Sequence, residues 1–162
     1  MHDIPMYRLV HLVVDDYRQV QRTVRGLAIA IVTTVVCLGL GVAVGRIAPE
    51  PKWPHLGWLW ALNNLLLVCM TEEAVFRGYL QGELSRRFSG VRHGDILAIG
   101  IAATLFGLAH AAGGIGLIVV AGLAGVGYGL AYRVGGLQAA VLAHFGLNLT
   151  HFTLFTYPLL AG

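Results

Sequence analysis

The chain is 162 residues long, 57% hydrophobic and 12% charged, against about 25% charged in an ordinary soluble domain. These values exclude a soluble globular protein and indicate a chain solvated by lipid. The formal charge of +3 is not a sign of a nucleic-acid partner here, because its meaning lies in where the arginines fall between apolar runs.

Residues 1–25 mix Arg8, Asp15, Asp16, Arg18 and Arg22 with Ile4, Met6, Tyr7, Leu9, Val10, Leu12, Val13 and Val14. That pattern suits a helix at the membrane interface with arginines toward anionic headgroups, or equally a solvated lead-in that sets orientation. The first uncharged run, Gly26 to Gly45, follows a longer polar segment and exceeds the apolar core of a signal peptide, so it reads as a retained span. Pro51 and Pro54 break the next segment, and Trp53, Trp58 and Trp60 fit an aromatic belt at a membrane surface.

From Leu56 nothing interrupts a helical pattern until Ser89-Gly90, so the second helix is expected to reach about Phe88. The third is expected to begin near Asp95 as its N-cap. The run Ile96 to Tyr132 is too long for one span and is divided at Ala111-Ala112-Gly113-Gly114, and Val134 to Gly162 supplies a fifth span with a tail. Ala121, Gly125 and Gly129 give the fourth helix small-residue spacing that favours close packing within the chain over a dimer seam. Cys37 and Cys69 fall inside apolar runs and read as small buried side chains rather than a disulfide pair.

The expected fold is therefore all-α: a polytopic transmembrane bundle of about five spans with an N-terminal interfacial segment (1–25) and a membrane domain (26–162). Arg8, Arg18, Arg22, Arg25, Arg86, Arg87, Arg92 and Arg133 lie on one side of the spans, against Arg46 and Lys52 on the other. The positive-inside rule puts the N-terminus in the cytoplasm and the C-terminus outside.

Ionisable groups buried among apolar helices are costly and mark function. Here they are Glu72 and Glu73 with Arg77, His110 preceded by Phe106, His144 with Asn148, and His151. Spacing of four residues sets Glu73 with Arg77, Phe106 with His110, and His144 with Asn148 on common helix faces. Glu72 and Glu73 point about 100° apart and so have different tasks. Glu73 with Arg77 is a self-neutralising bridge, whereas Glu72 lacks a charged partner in its own helix and suits a general base that takes a proton from water. Across the helical hairpin, Glu72 and His110 are expected about 23 Å from its tip, on one level. His110 and His144 can orient the water, protonate a departing amine or stabilise an oxyanion, and Asn148 offers an amide donor to the same oxyanion. Alternatively Glu72, His110 and His144 can hold Zn²⁺, three ligands with one open position. His151, Asn63 and Asn64 read as hydrogen-bonded packing residues.

E-E-A-V-F-R at 72–77, F-G-L-A-H at 106–110 and H-F-G-L-N at 144–148 resemble the EExxxR, FxxxH and HxxxN motifs of the CPBP intramembrane protease family. That family includes CAAX prenyl endopeptidases and bacteriocin-processing or immunity proteins. The resemblance covers about residues 56–157. It implies a helical bundle enclosing a polar cavity and hydrolysis of a peptide bond in a membrane-associated protein or peptide. Glu72 would activate water, His110 would be its partner, and His144 with Asn148 would stabilise the oxyanion, with Glu73, Arg77 and Phe106 in support. A glutamic mechanism without cofactor is favoured, since Glu72, His110 and His144 as zinc ligands leave only Glu73 as base. The small bacterial relatives suggest the bacterial inner membrane. The competing reading is a proton-coupled carrier with Glu72, His110 and His144 as relay, although the chain lacks the internal repeat of many carriers. A third is a silent relative that sequesters a membrane partner.

Overall fold

The computed structural model describes residues 6–157, with the side chains of residue 15 and of residues 17–157. Residues 1–5 of the expected interfacial segment and 158–162 of the expected tail lie outside the described residues.

Helix α1, Met6–Ala43, runs through residue 25 without a break. It ends where Gly45 takes φ +68° and the amide of Arg46 donates to the carbonyl of Gly41 at 2.9 Å. This left-handed glycine cap satisfies the last carbonyls of the helix. Helix α2 spans Gly57–Arg87, and it is not regular, because π-type turns occupy Asn64–Cys69 and Ala74–Gln81. Helix α3 is Gly94–Ala109. The final helical run, Gly114–Leu154, is interrupted at Gly136 (φ 73°, ψ −166°), which divides it into α4 (114–135) and α5 (137–154). A straight run of 41 residues would be about 60 Å long, twice a hydrocarbon core.

Packing partners fix the directions of these helices. Along α4, Gly122 approaches Ala103, Gly129 approaches Gln81 and Ile99, and Arg133 meets Asp95. Thus α4 runs antiparallel to α3 and parallel to α2. Along α5, His144 meets Glu73, Asn148 meets Asn64 and Phe152 stacks on Trp60, so α5 runs antiparallel to α2. The chain reverses at Gly136, a positive φ that an L side chain enters only with strain. On the far side of α4, Cys37 lies 3.9 Å from the carbonyl of Val120 and Thr33 packs against Gly127. Among the described residues the result is a bundle of five helical legs that alternate in direction. By length and composition Tyr17–Ala43 of α1, Gly57–Arg87 and Ala111–Leu154 qualify as membrane spans, with α3 a shorter apolar helix.

Small residues allow the legs to approach closely: Ala98, Ala131, Ala140 and Ala143 are fully buried. A Cβ added at Gly125 would lie 3.1 Å from the Cα of Ala103, and one at Gly129 2.9 Å from Ile99. The small-residue spacing of α4 is therefore used inside the chain. Large apolar side chains instead face outward, among them Ile31, Val35, Leu67, Leu108 and Ile115, as expected where lipid is the solvent. The protein is an integral membrane protein.

Asp95 does not cap α3. Gly94 begins the helix after His93, whose φ is 62°, and Asp95 sits inside the first turn with its Oδ1 accepting from the amide of Ile96 at 2.9 Å. A carboxylate there complements the helix N-terminus. It also holds Arg133 of α4 at 2.6 Å.

Candidate active site

The buried polar groups of α2 form one stripe: Asn64, Cys69, Glu73, Arg77 and Gln81. In a straight α-helix the first and last of these would face about 100° apart. The two π-type turns put extra residues into single turns and keep the stripe on one face, the face covered by α4 and α5.

Glu73 and Arg77 are both 0% exposed, with Arg77 Nη1 donating to Glu73 Oε1 at 2.9 Å. Arg77 Nη2 donates to the carbonyl of Gly125 at 3.0 Å. The guanidinium lies over Phe106, 4.4 Å from the ring centroid, and 5.2 Å from that of Tyr128. A planar cation between aromatic faces retains favourable electrostatics where water is absent.

His144 joins the same carboxylate. Its Nδ1 lies 2.8 Å from Glu73 Oε1, and the imidazole is buried. Its ring stacks on Tyr128 (centroids 4.6 Å, planes 17° apart) and meets the edge of Phe106 at 5.8 Å. His110 closes α3, and its Nδ1 lies 2.8 Å from the carbonyl of Phe106, one of the last carbonyls of that helix. In both histidines Nδ1 faces an oxygen acceptor, and Nε2 makes no hydrogen bond among the described residues. Phe106 touches both rings, since its centroid is also 4.7 Å from that of His110. This ring brings together two histidines that enter from opposite ends of the bundle.

Glu72 has a different environment. Its Oε2 is buried with no hydrogen-bond partner, as are Glu73 Oε2, Arg77 Nε and Gln81 Oε1, among the described residues. Phe76, four residues after Glu72, meets Phe106, four residues before His110, with centroids 5.1 Å apart. Because α2 and α3 are antiparallel, Glu72 and His110 lie one turn beyond this contact, toward the same end of the bundle.

The structure thus gathers Glu73, Arg77, His144 and Phe106 in direct contact and sets His110 against Phe106. His144 is bonded to Glu73, not to Glu72. Asn148 is one turn further along α5, donating to Asn64 Oδ1 at 3.2 Å, and His151 lies beyond, its Nε2 3.0 Å from the carbonyl of Thr156. The sequence places Asn148 in the site and reads Asn64 as hydrogen-bonded packing; the bond between the two, and Tyr128, are additions of the structure. Tyr128 resembles any core aromatic in the sequence, and Asn64 opens the π-type turn Asn64–Cys69, which a period of 3.6 residues does not anticipate. Among the described residues, no three His, Cys, Asp or Glu side chains are grouped as a metal ion would require.

The family model described as Type II CAAX prenyl endopeptidase Rce1-like matches residues 53–150, well over half of the chain. The matched stretch contains Glu72, Glu73, Arg77, Phe106, His110, His144 and Asn148. No curated protein and no solved structure gives a match.

Proposed function

We propose that this chain, which belongs to the Type II CAAX prenyl endopeptidase Rce1-like family, cleaves a peptide bond of a membrane-associated protein or peptide with water activated by Glu72. The observation that carries this reading is the contrast between the neighbouring glutamates. Glu73 Oε1 is held by both Arg77 and His144, whereas Glu72 makes no ion pair among the described residues and its Oε2 is buried without a partner. A carboxylate free of ion pairs can take a proton; one locked between an arginine and an imidazole serves to hold them.

In this mechanism Glu72 removes a proton from water while His110 Nε2 accepts the second hydrogen bond of that water. The oxygen attacks the scissile carbonyl carbon. The developing oxyanion is met by His144, which Glu73 orients at Nδ1, and by an N–H of Asn148. Glu72 then returns the proton to the departing amine as the carbon–nitrogen bond breaks. Every proton is accounted for without a metal. Glu72, His110 and His144 are also the set that would hold Zn²⁺ and polarise the water in a metal-dependent variant, although the described residues do not group them as ligands.

Membership in a peptidase family weighs against the carrier reading. The distribution of arginines supports a cytoplasmic N-terminus and an external C-terminus.

The test uses the full chain reconstituted in phospholipid vesicles with a farnesylated CAAX-type peptide and its unprenylated counterpart as probes. Cleavage of either probe by the wild type, absent in Glu72→Gln, is expected. Cleavage retained in Glu72→Gln would remove Glu72 from the role of base.

A further inference from the structure

Near the outer end of the site, three polar groups form a closed triangle between α2 and α5. Asn148 Nδ2 lies 3.2 Å from Asn64 Oδ1, Cys69 Sγ lies 3.3 Å from the same oxygen, and Asn148 Nδ2 lies 3.7 Å from Cys69 Sγ. Cys69 is 0% exposed and Asn64 7%. Side chains five residues apart on a straight α-helix diverge by about 140°. Asn64 and Cys69 converge because the π-type turn Asn64–Cys69 closes over five residues. A local departure from α geometry is thus coupled to the placement of one amide on the neighbouring helix.

We infer that Asn64 is a positioning residue for Asn148: its carbonyl oxygen takes one N–H of the Asn148 amide, fixes which way that amide is turned, and leaves the second N–H for the oxyanion. The inference rests on the proposed hydrolytic role of Asn148. The two acceptors facing Asn148 Nδ2 differ greatly in strength. The Asn64 carbonyl is an ordinary acceptor at ordinary distance, whereas a thiol sulfur is a weak one. The N–H turned to Cys69 is therefore held loosely, and a negatively charged oxygen forms a bond roughly twice as strong as a neutral one. In this arrangement the thiol proton of Cys69 goes to Asn64 Oδ1, and the atom of Asn148 that faces the same oxygen is its amide nitrogen. An amide free to flip would present its own oxygen to the oxyanion half of the time and repel it.

The test begins with a peptide spanning a cut that the wild type makes and Glu72→Gln does not, assayed with purified full-length protein in detergent. Asn64→Leu is expected to lower kcat roughly 10- to 100-fold, the range for loss of a group that orients a reacting residue, while KM and the unfolding midpoint stay near wild type. Asn64→Asp, which keeps an acceptor at the same place, should restore most of kcat. In a Cys37→Ala background the infrared S–H stretch of Cys69 should rise in frequency in Asn64→Leu and not in Asn64→Asp. If Asn64→Leu is not recovered folded, Asn64→Ala reads the same quantities. Wild-type kcat in Asn64→Leu or Asn64→Ala, or an Asn64→Asp as slow as Asn64→Leu at equal stability, overturns the inference and leaves the role of Glu72 standing. Cuts that persist in Glu72→Gln overturn the hydrolytic reading itself, and this inference with it.

Discussion

His144 Nδ1 lies 2.8 Å from Glu73 Oε1, with both side chains buried between α2 and α5. Because Arg77 Nη1 approaches the same oxygen at 2.9 Å, one carboxylate atom ties together three residues of two sequence motifs. The arrangement stabilises the fold only as a whole. Removing one partner leaves a charge buried in hydrocarbon.

Arg77→Ala should therefore lower the stability of the protein by about 3–5 kcal/mol, the cost of stranding one half of a buried pair. Arg77→Lys should recover little of it, since an ammonium cannot both reach Glu73 and hold the Gly125 carbonyl between aromatic faces. Thermal unfolding in detergent measures both. An unfolding midpoint for Arg77→Ala equal to that of the wild type would contradict the buried-bridge account.

His144→Phe should keep the stack on Tyr128 while removing the link to Glu73. Cleavage should drop at least about 100-fold, the usual scale for loss of one oxyanion donor, while the helical content by circular dichroism stays near wild type. Activity close to wild type would remove His144 from the reaction.

Much of this arrangement was legible in the sequence. Uncharged runs separated by arginines and glycines gave the five legs, and four-residue spacing paired Glu73 with Arg77. The hidden part follows from the irregularity of α2. A reading at 3.6 residues per turn cannot foresee two π-type turns, and so it cannot bring Asn64 and Cys69 to one face or align both with Glu73, Arg77 and Gln81. It also left open which glutamate receives His144, because that depends on the tilt of α5 rather than on its periodicity.

Glycines separate into two groups with opposite expected effects. Gly129→Leu should reduce the folded fraction sharply, because even its Cβ would lie 2.8 Å from Gln81 Oε1 and 2.9 Å from Ile99 Cγ2. Gly100→Ala meets nothing within 4 Å and should stabilise α3 by up to about 1 kcal/mol, the difference in helix propensity. Gly136→Ala should cost about 1–2 kcal/mol, because a Cβ resists its φ of 73°. Unfolding midpoints of the three variants, compared in one detergent, check the assignments. A Gly129→Leu as stable as wild type would mean that α4 does not pack against α2 and α3 as described.

Chelation distinguishes the two forms of the hydrolytic mechanism. Dialysis against 1,10-phenanthroline should leave cleavage unchanged if Glu72 acts directly on water. Loss of cleavage that returns with added Zn²⁺ would instead assign Glu72, His110 and His144 as ligands.

The central claim, that Glu72 activates the water for peptide hydrolysis in the membrane, is tested most directly by comparing the peptide termini of membranes from cells carrying the wild-type chain and cells carrying Glu72→Gln. The variant keeps the shape of the side chain and removes the base. We predict a set of new protein ends present only with the wild type, at equal amounts of the two proteins, and those ends name the substrate. Identical ends in both membranes would contradict the claim.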